Sequence, residues 1–219
     1  MAKHILMVVT SHAKIIEGKM TGIWLSEFSE AYLGFKNEGY DIKVASPLGG
    51  KAPIDPSSID ENTHKEILDA AKYLEDTWKI DDVSAENYDV IFLPGGHGTM
   101  FDLPVSQKLQ QLLREFYEGD KIVAAVCHGP AGLVGVTLSN GQPLVSGKRV
   151  NAFTNREEAD TTLEQHLPFL LESRLRDLGA IFVAAPNWST HYEVDGNLIT
   201  GQNPQSTVAV THAVIERLS

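Results

Sequence analysis

Four short apolar runs, Ile5 to Val9, Ile42 to Ala45, Val90 to Leu93 and Ile122 to Val126, recur along the chain with stretches of helical spacing between them. Continuous apolar runs of this length describe strands buried on both faces. Such strands, alternating with helices, are joined by crossover connections, so the pattern predicts a parallel sheet between helical layers. Thr21 to Glu38 sets Trp24, Phe28, Ala31, Tyr32 and Phe35 on one stripe, and Gly39 follows where a C-terminal cap belongs. Further helices are predicted over Ser106 to Glu118 and near Leu167 to Leu178. Asn140-Gly141 signals a tight turn, so a small β-hairpin is expected within Leu138 to Arg149, ahead of a strand at Val150 to Thr154. Tyr192 to Thr200 reads as two short strands about Asp195-Gly196, and Asn203 is placed to cap a final helix reaching Arg217. The polar, proline-bearing segment Gly49 to Asn62 is expected to be the most mobile loop and to lie over the site.

At 219 residues and 42% hydrophobic, the chain is long enough for one large core, and a single domain spanning residues 1–219 is expected. Eighteen basic against twenty-nine acidic side chains leave a net charge of -11. That charge repels phosphate backbones and anionic membrane surfaces, which argues against nucleic-acid and membrane partners and favours a small, weakly charged substrate. No run approaches the roughly 18 apolar residues of a membrane helix. The first apolar run lacks the long hydrophobic region of a signal peptide, and one cysteine supports no intrachain disulfide framework. A soluble cytoplasmic protein is the expectation.

The only cysteine ends the fourth apolar run, in Ala125-Val126-Cys127-His128-Gly129-Pro130. A buried strand that stops at Cys-His-Gly-Pro predicts a tight strand-to-helix turn, with small Ala125 and Gly129 flanking Cys127 as glycines flank the serine of a nucleophile elbow. The thiol is expected to stand exposed above the sheet, with a helix N-terminus aimed at the sulfur and favouring thiolate.

Pro94-Gly95-Gly96-His97-Gly98-Thr99 follows the third run. It fits neither the dinucleotide pattern, which needs a glycine where Phe101 stands, nor the Walker pattern, which needs Gly-Lys-Ser/Thr. An oxyanion hole is the better reading, in which the N–H groups of Gly96 and His128 hold developing negative charge and His97 flanks the substrate. Glu27 falls on the margin of the first helix's apolar stripe; facing Cys127, it is expected to be protonated and to donate a hydrogen bond to sulfur. His128 needs an acceptor on one ring nitrogen to act as a base through the other. The adjacent Glu157 and Glu158 are both candidates, and periodicity does not choose between them. His191-Tyr192-Glu193 offers a rival histidine and carboxylate. The eight histidines form neither HExxH nor a close pair in sequence, so no metal site is expected.

Together, Ala-Val-Cys127-His128-Gly-Pro, Gly95-Gly96-His97-Gly98-Thr99, Thr21-Gly22-Ile23-Trp24 leading to Glu27, and Ala152-Phe153-Thr154-Asn155 leading to Glu158 resemble the ThiJ/PfpI superfamily, related to class I glutamine amidotransferases. Within it the chain is most similar to the glutathione-independent glyoxalase, or glyoxalase III, branch, which also includes small heat-shock chaperones. The resemblance covers almost the whole chain and implies a flavodoxin-like sandwich. It also implies Cys127 as nucleophile, His128 as base, Glu158 as the histidine's partner and Glu27 against the sulfur. The two-residue gap after Asn155 is what selects Glu158. The chain has room only for the compact form of the family, without an extra lid domain. The implied activity is a lyase of the D-lactate dehydratase type, acting on methylglyoxal or glyoxal without a cofactor, in a homodimer. A holding chaperone or a deglycase is the alternative; a cysteine peptidase or amidotransferase-like hydrolase ranks lower.

Overall fold

The computed structural model describes residues 3–219. The chain runs through β1 (His4–Val8), a hairpin of β2 (Lys14–Ile16) and β3 (Lys19–Met20), α1 (Leu25–Asn37), β4 (Asp41–Ser46), α2 (Lys65–Ala70), β5 (Trp78–Lys79) and β6 (Val90–Leu93). It continues through α3 (Thr99–Asp102), α4 (Gln107–Glu118), β7 (Ile122–Val126), β8 (Arg149–Val150), α5 (Asn155–Thr161), α6 (Leu171–Asp177) and β9 (Ile181–Phe182). A hairpin of β10 (Tyr192–Asp195) and β11 (Leu198–Gly201) precedes the last helix, α7 (Thr207–Leu218).

Seven strands form the central sheet in the order β10-β11-β7-β6-β1-β4-β5. All neighbours are parallel except β10 and β11. Alternation along each strand divides the core into two layers. Leu6, Val8, Ile91, Leu93, Val123 and Ala125 pack against Leu109, Leu112, Leu113 and Phe116 of α4. Ile5, Met7, Val90, Phe92, Ala124 and Val126 pack against Phe28, Ala31 and Phe35 of α1 and Val210 and Val214 of α7. This is the parallel sheet between helical layers that the four apolar runs predict, and the flavodoxin-like sandwich that the resemblance implies. The strand order reverses at β1, whose neighbours are β4 and β6, and crevices open at the carboxyl ends of strands beside such a reversal.

Several boundaries differ from expectation, each for a local reason. Helix α1 begins at Leu25 because the preceding residues bond elsewhere: Ile23 N–H donates to Pro53 O and Trp24 N–H to Gly95 O. Pro168 forces Leu167 into extended backbone, so α6 starts only at Leu171. The Asn140-Gly141 turn forms, but its flanks make one isolated bridge, Thr137 to Pro143, and no hairpin ladder. The expected strand at Val150 to Thr154 is cut to Arg149–Val150 because Phe153 N–H turns away to donate to Cys127 O. Asn203 caps nothing: α7 starts at Thr207, and the Asn203 side chain reaches across to Glu157 and Ser189. Gly49 to Asn62 is anchored, not loose. Gly50 exchanges hydrogen bonds with Thr77, Asp55 N–H donates to Ile23 O, and the Asp55 carboxylate accepts from Thr21 Oγ1. None of its residues lines the cavity described below; it braces the Thr21–Trp24 segment instead.

The elbow packs too tightly for any residue but glycine at one position. A Cβ on Gly129 would lie 2.0 Å from Leu93 O, a backbone atom of β6 that cannot yield without moving the strand. Gly129→Ala should therefore destabilise the fold by about 1–3 kcal/mol, lowering the melting temperature by roughly 2–4 °C per kcal/mol for a chain of this size. Calorimetry on the purified variant checks this; an unchanged melting temperature refutes it.

Candidate active site

β7 ends at Val126 and the chain turns sharply, with Cys127 at φ 60, a left-handed conformation rare outside glycine. Cys127 N–H donates to Gly201 O of β11, and Cys127 O accepts from Phe153 N–H, both at 2.9 Å, so the elbow is held from two sides. The helix that the sequence predicts after the turn is a short 3-10 helix, Gly129–Leu133. The thiol is only 3% exposed. Burial first, then the Glu27 carboxyl, pushes its pKa well above the ordinary cysteine value, while the His128 N–H facing the sulfur works in the opposite sense. The expected exposed thiolate is thus corrected to a buried, protonated thiol: only a five-residue helix follows the turn, and desolvation outweighs its dipole.

His128 Nδ1 stands 3.4 Å from Cys127 Sγ, and His128 Nε2 stands 2.6 Å from Glu158 Oε2. The other carboxylate oxygen, Glu158 Oε1, is 2.7 Å from His97 Nε2. Burial alone would raise the Glu158 carboxyl, but the two histidines override it and hold it well below the usual carboxylate range. An ionised carboxylate only accepts, so both Nε2 atoms carry hydrogens and His128 Nδ1 presents a free lone pair to the thiol. Burial, then the neighbouring His97, lowers the His128 pKa, so the ring is neutral at pH 7 and able to take a proton.

Glu158 is thereby separated from Glu157, one residue earlier on α5. Thr154 caps this helix in a reciprocal box with Glu157, turning Glu157 away from the histidines. Glu157 Oε1 instead accepts from Trp188 N–H, Gln202 Nε2 and Asn203 Nδ2. The rival pair lies elsewhere. His191 Nε2 is 3.1 Å from Glu193 Oε1 without hydrogen-bonding geometry, Glu193 binds Arg149, and neither lines the cavity at the sulfur.

Glu27, on the first turn of α1, is fully buried. Its Oε2 accepts from Gly95 N–H at 2.6 Å, while Oε1 makes no well-formed hydrogen bond and the carboxyl is coupled to the thiol. Burial raises its pKa from 4.5 to about 8. Gly96 adopts φ 105, and a Cβ there would fall 2.3 Å from Gly22 O, so the close approach of this loop to the Thr21–Trp24 segment demands glycine. Among the described residues, neither the Gly96 nor the His128 N–H donates to a protein carbonyl or carboxylate. Both residues line a cavity of about 70 Å³ above the sulfur, room for a few heavy atoms. His97 lines it too, so its ring touches the space a ligand occupies while its Nε2 holds Glu158.

The remaining walls are Trp24, Phe153, Thr161, Trp188 and Pro204. Trp24 and Phe153 stand in the motifs quoted above, without an assigned role. Thr161 and Trp188 carry no sequence signal, and nothing in the sequence assigns Pro204 a role, because residues that meet only in three dimensions leave no spacing pattern. The fold also creates a histidine pair that the sequence does not announce: nitrogens of His97 and His128 and an oxygen of Glu158 lie within 4.8 Å of one another. Among the described residues these three form the one group placed to ligate a metal ion, although their nitrogen-to-oxygen distances are those of hydrogen bonds.

Glu27 carries a pH signature. Between about 4.5 and about 8 it is protonated in the folded chain and ionised in the unfolded one, so the unfolded state binds fewer protons. Stability then falls as pH rises through that window and levels off above it. Glu27→Gln keeps the shape and removes the titration. Denaturant unfolding across this range should show a shallower loss for the variant and greater stability than the parent at pH 8; parallel curves overturn the assignment.

Comparison with known proteins matches this geometry to a family. The DJ-1/PfpI family model matches residues 20–217. The Saccharomyces cerevisiae protein named glutathione-independent glyoxalase HSP31 is 31% identical, covering 99% of this chain and 98% of its own. Glyoxalase 3 of Candida albicans is 30% identical, covering 96% of each chain. Among solved structures, glyoxalase III from Candida albicans superposes with a TM-score of 0.89 at 30% identity, covering 98% of this chain and 96% of the other. The Rapid Encystment Protein 24 KDa of Francisella tularensis gives 0.94 at 33%, covering 99% of each. No helix among the described residues is long and apolar enough to cross a membrane. The sheet that carries the elbow thus belongs to a shared architecture, and the chain is a member of the DJ-1/PfpI family.

Proposed function

We propose that the protein is a glutathione-independent glyoxalase that converts methylglyoxal to lactate, or glyoxal to glycolate, with Cys127, His128, Glu158 and Glu27 as its site residues. The observation that carries this reading is a thiol and a neutral imidazole 3.4 Å apart at the floor of a cavity of about 70 Å³. A space of that size suits a dicarbonyl of two or three carbons and excludes an extended peptide, which sets the peptidase alternative aside. The names of the relatives point to the same chemistry.

The thiol is protonated at rest, so attack is base-assisted. His128 Nδ1 takes the thiol proton as the sulfur adds to the aldehyde carbon. The Gly96 and His128 N–H groups stabilise the hemithioacetal oxyanion, which then receives the proton from the imidazolium. The imidazole, neutral again, removes the carbon-bound hydrogen, and the resulting enediol is protonated on the adjacent carbon. This moves a hydrogen from one carbon to the next with no external oxidant and leaves a thioester. Water cleaves the thioester, so the net change is addition of one water to the dicarbonyl, the reverse of a hydroxy-acid dehydration. In class terms the enzyme is a lyase of the D-lactate dehydratase type. Glu158 keeps the histidine in the tautomer that leaves Nδ1 free. Protonated Glu27 places no negative charge beside the sulfur.

Lactate formation from methylglyoxal without glutathione tests the reading. Cys127→Ala should abolish it, and His128→Ala and Glu158→Gln should lower kcat by roughly 10²–10⁴-fold. His191→Ala should retain parental activity. A parent protein that forms no hydroxy acid from either aldehyde refutes the proposal, and an inactive His191→Ala beside an active His128→Ala moves the base to His191, just ahead of β10.

A further inference from the structure

Of the nine residues lining the cavity above Cys127, Trp188 alone is well exposed, at 42%, while His128, Phe153 and the thiol beneath it are buried. The indole therefore stands at the mouth. Its ring meets Phe153 edge-on at 5.6 Å, and Phe153 in turn packs 4.3 Å from the His128 ring, so an aromatic column runs from solvent to the histidine. Trp188 is fixed there unusually firmly. Its backbone is left-handed, at φ 61, a conformation a bulky residue avoids unless its surroundings impose it. Two hydrogen bonds impose it: Trp188 N–H donates to Glu157 Oε1 at 2.8 Å, and indole Nε1 donates to Asp160 Oδ2 at 3.1 Å. Asn187 Nδ2 binds the same Asp160 oxygen, and Ser189 O accepts from Asn203 Nδ2.

The residues that hold Trp188 sit on α5, on either side of Glu158. One short helix therefore sets both the histidine's partner and the position of the wall facing it. A side chain that only filled surface space would need neither a strained backbone nor an indole acceptor.

We propose that Trp188 is the specificity-determining residue of this site: its indole closes the mouth over Cys127 and limits the carbonyl compounds that reach the sulfur to those with a small second substituent. The naming of 2-oxoaldehydes rests on the glyoxalase reading; the size limit itself does not. In Trp188→Ala, kcat/KM for phenylglyoxal relative to methylglyoxal should rise at least about tenfold, the low end of what pocket shape contributes to discrimination. Independently of activity, Cys127 is the only cysteine, so thiol labelling reads it alone. The rate with N-phenylmaleimide relative to iodoacetamide, normalised to free cysteine, should rise by a similar factor in the variant.

Should Trp188→Ala fail to fold, Asp160→Ala serves in its place. Asp160 is exposed, and its loss frees the indole while keeping it; both ratios should move the same way by a smaller factor. Ratios within twofold of the parent in a folded variant overturn the proposal. If the parent acts on no 2-oxoaldehyde, the glyoxalase reading fails, and the labelling ratio still decides whether Trp188 is the gate.

Discussion

The left-handed turn at Cys127 is the constraint on which the rest of the site depends. A non-glycine residue at φ 60 carries strain of about 1–3 kcal/mol, and it persists because the surroundings leave the chain no alternative. β7 is paired on both sides, with β6 and β11, so the strand cannot slide. The hydrogen bonds from Cys127 N–H to Gly201 O and from Phe153 N–H to Cys127 O then fix the peptide units around the turn. The turn points the sulfur at the crevice and puts His128 beside it without any side-chain rearrangement, which is why neighbours in sequence can act as nucleophile and base.

Around that turn the electrostatics follow from desolvation. Three acidic groups, Glu27, the Cys127 thiol and Glu158, sit close together in a nearly dry pocket that does not tolerate three negative charges. Glu158 alone is ionised, because two histidines donate to it. Glu27 and the thiol keep their protons: burial raises both, Glu27 raises the thiol further, and the thiol's hydrogen bond only partly offsets the burial of the Glu27 carboxyl. A resting protonated thiol beside a neutral imidazole resists oxidation and stray alkylation better than a free thiolate, since the thiolate is the reactive form. The nucleophile is generated only when a carbonyl carbon is there to accept the electron pair.

Helix α5 shows how much of a site one turn of helix can organise. Thr154 caps it, and the capping partner Glu157 is spent on the Trp188 loop, which leaves Glu158 to face the histidines. In sequence the two glutamates are interchangeable, and only the family motif separates them. Burial separates them physically, because each finds a different set of donors inside the fold. Asn203 tells the same story: its side chain suits a helix cap, yet Nδ2 donates to a buried Glu157 oxygen and to Ser189 O, and Oδ1 accepts from Ser206 Oγ in place of a helix N–H.

Periodicity by itself determined the parallel sheet, the two core layers and the place of the cysteine at a strand's end, because the faces of a strand or helix are set by neighbours a few residues away. Val90–Leu93 and Ile122–Val126 were legible to the residue for that reason. What only the tertiary structure decided is everything that depends on how much water a group retains and which distant donor it meets. The protonated state of Cys127, the choice of Glu158 over Glu157, the pairing of His97 with His128, the anchoring of Gly49 to Asn62 and the closing of the cavity by Trp188 all belong there. Desolvation and long-range hydrogen bonds are properties of assembled surfaces, and no stretch of chain contains both halves of such a contact.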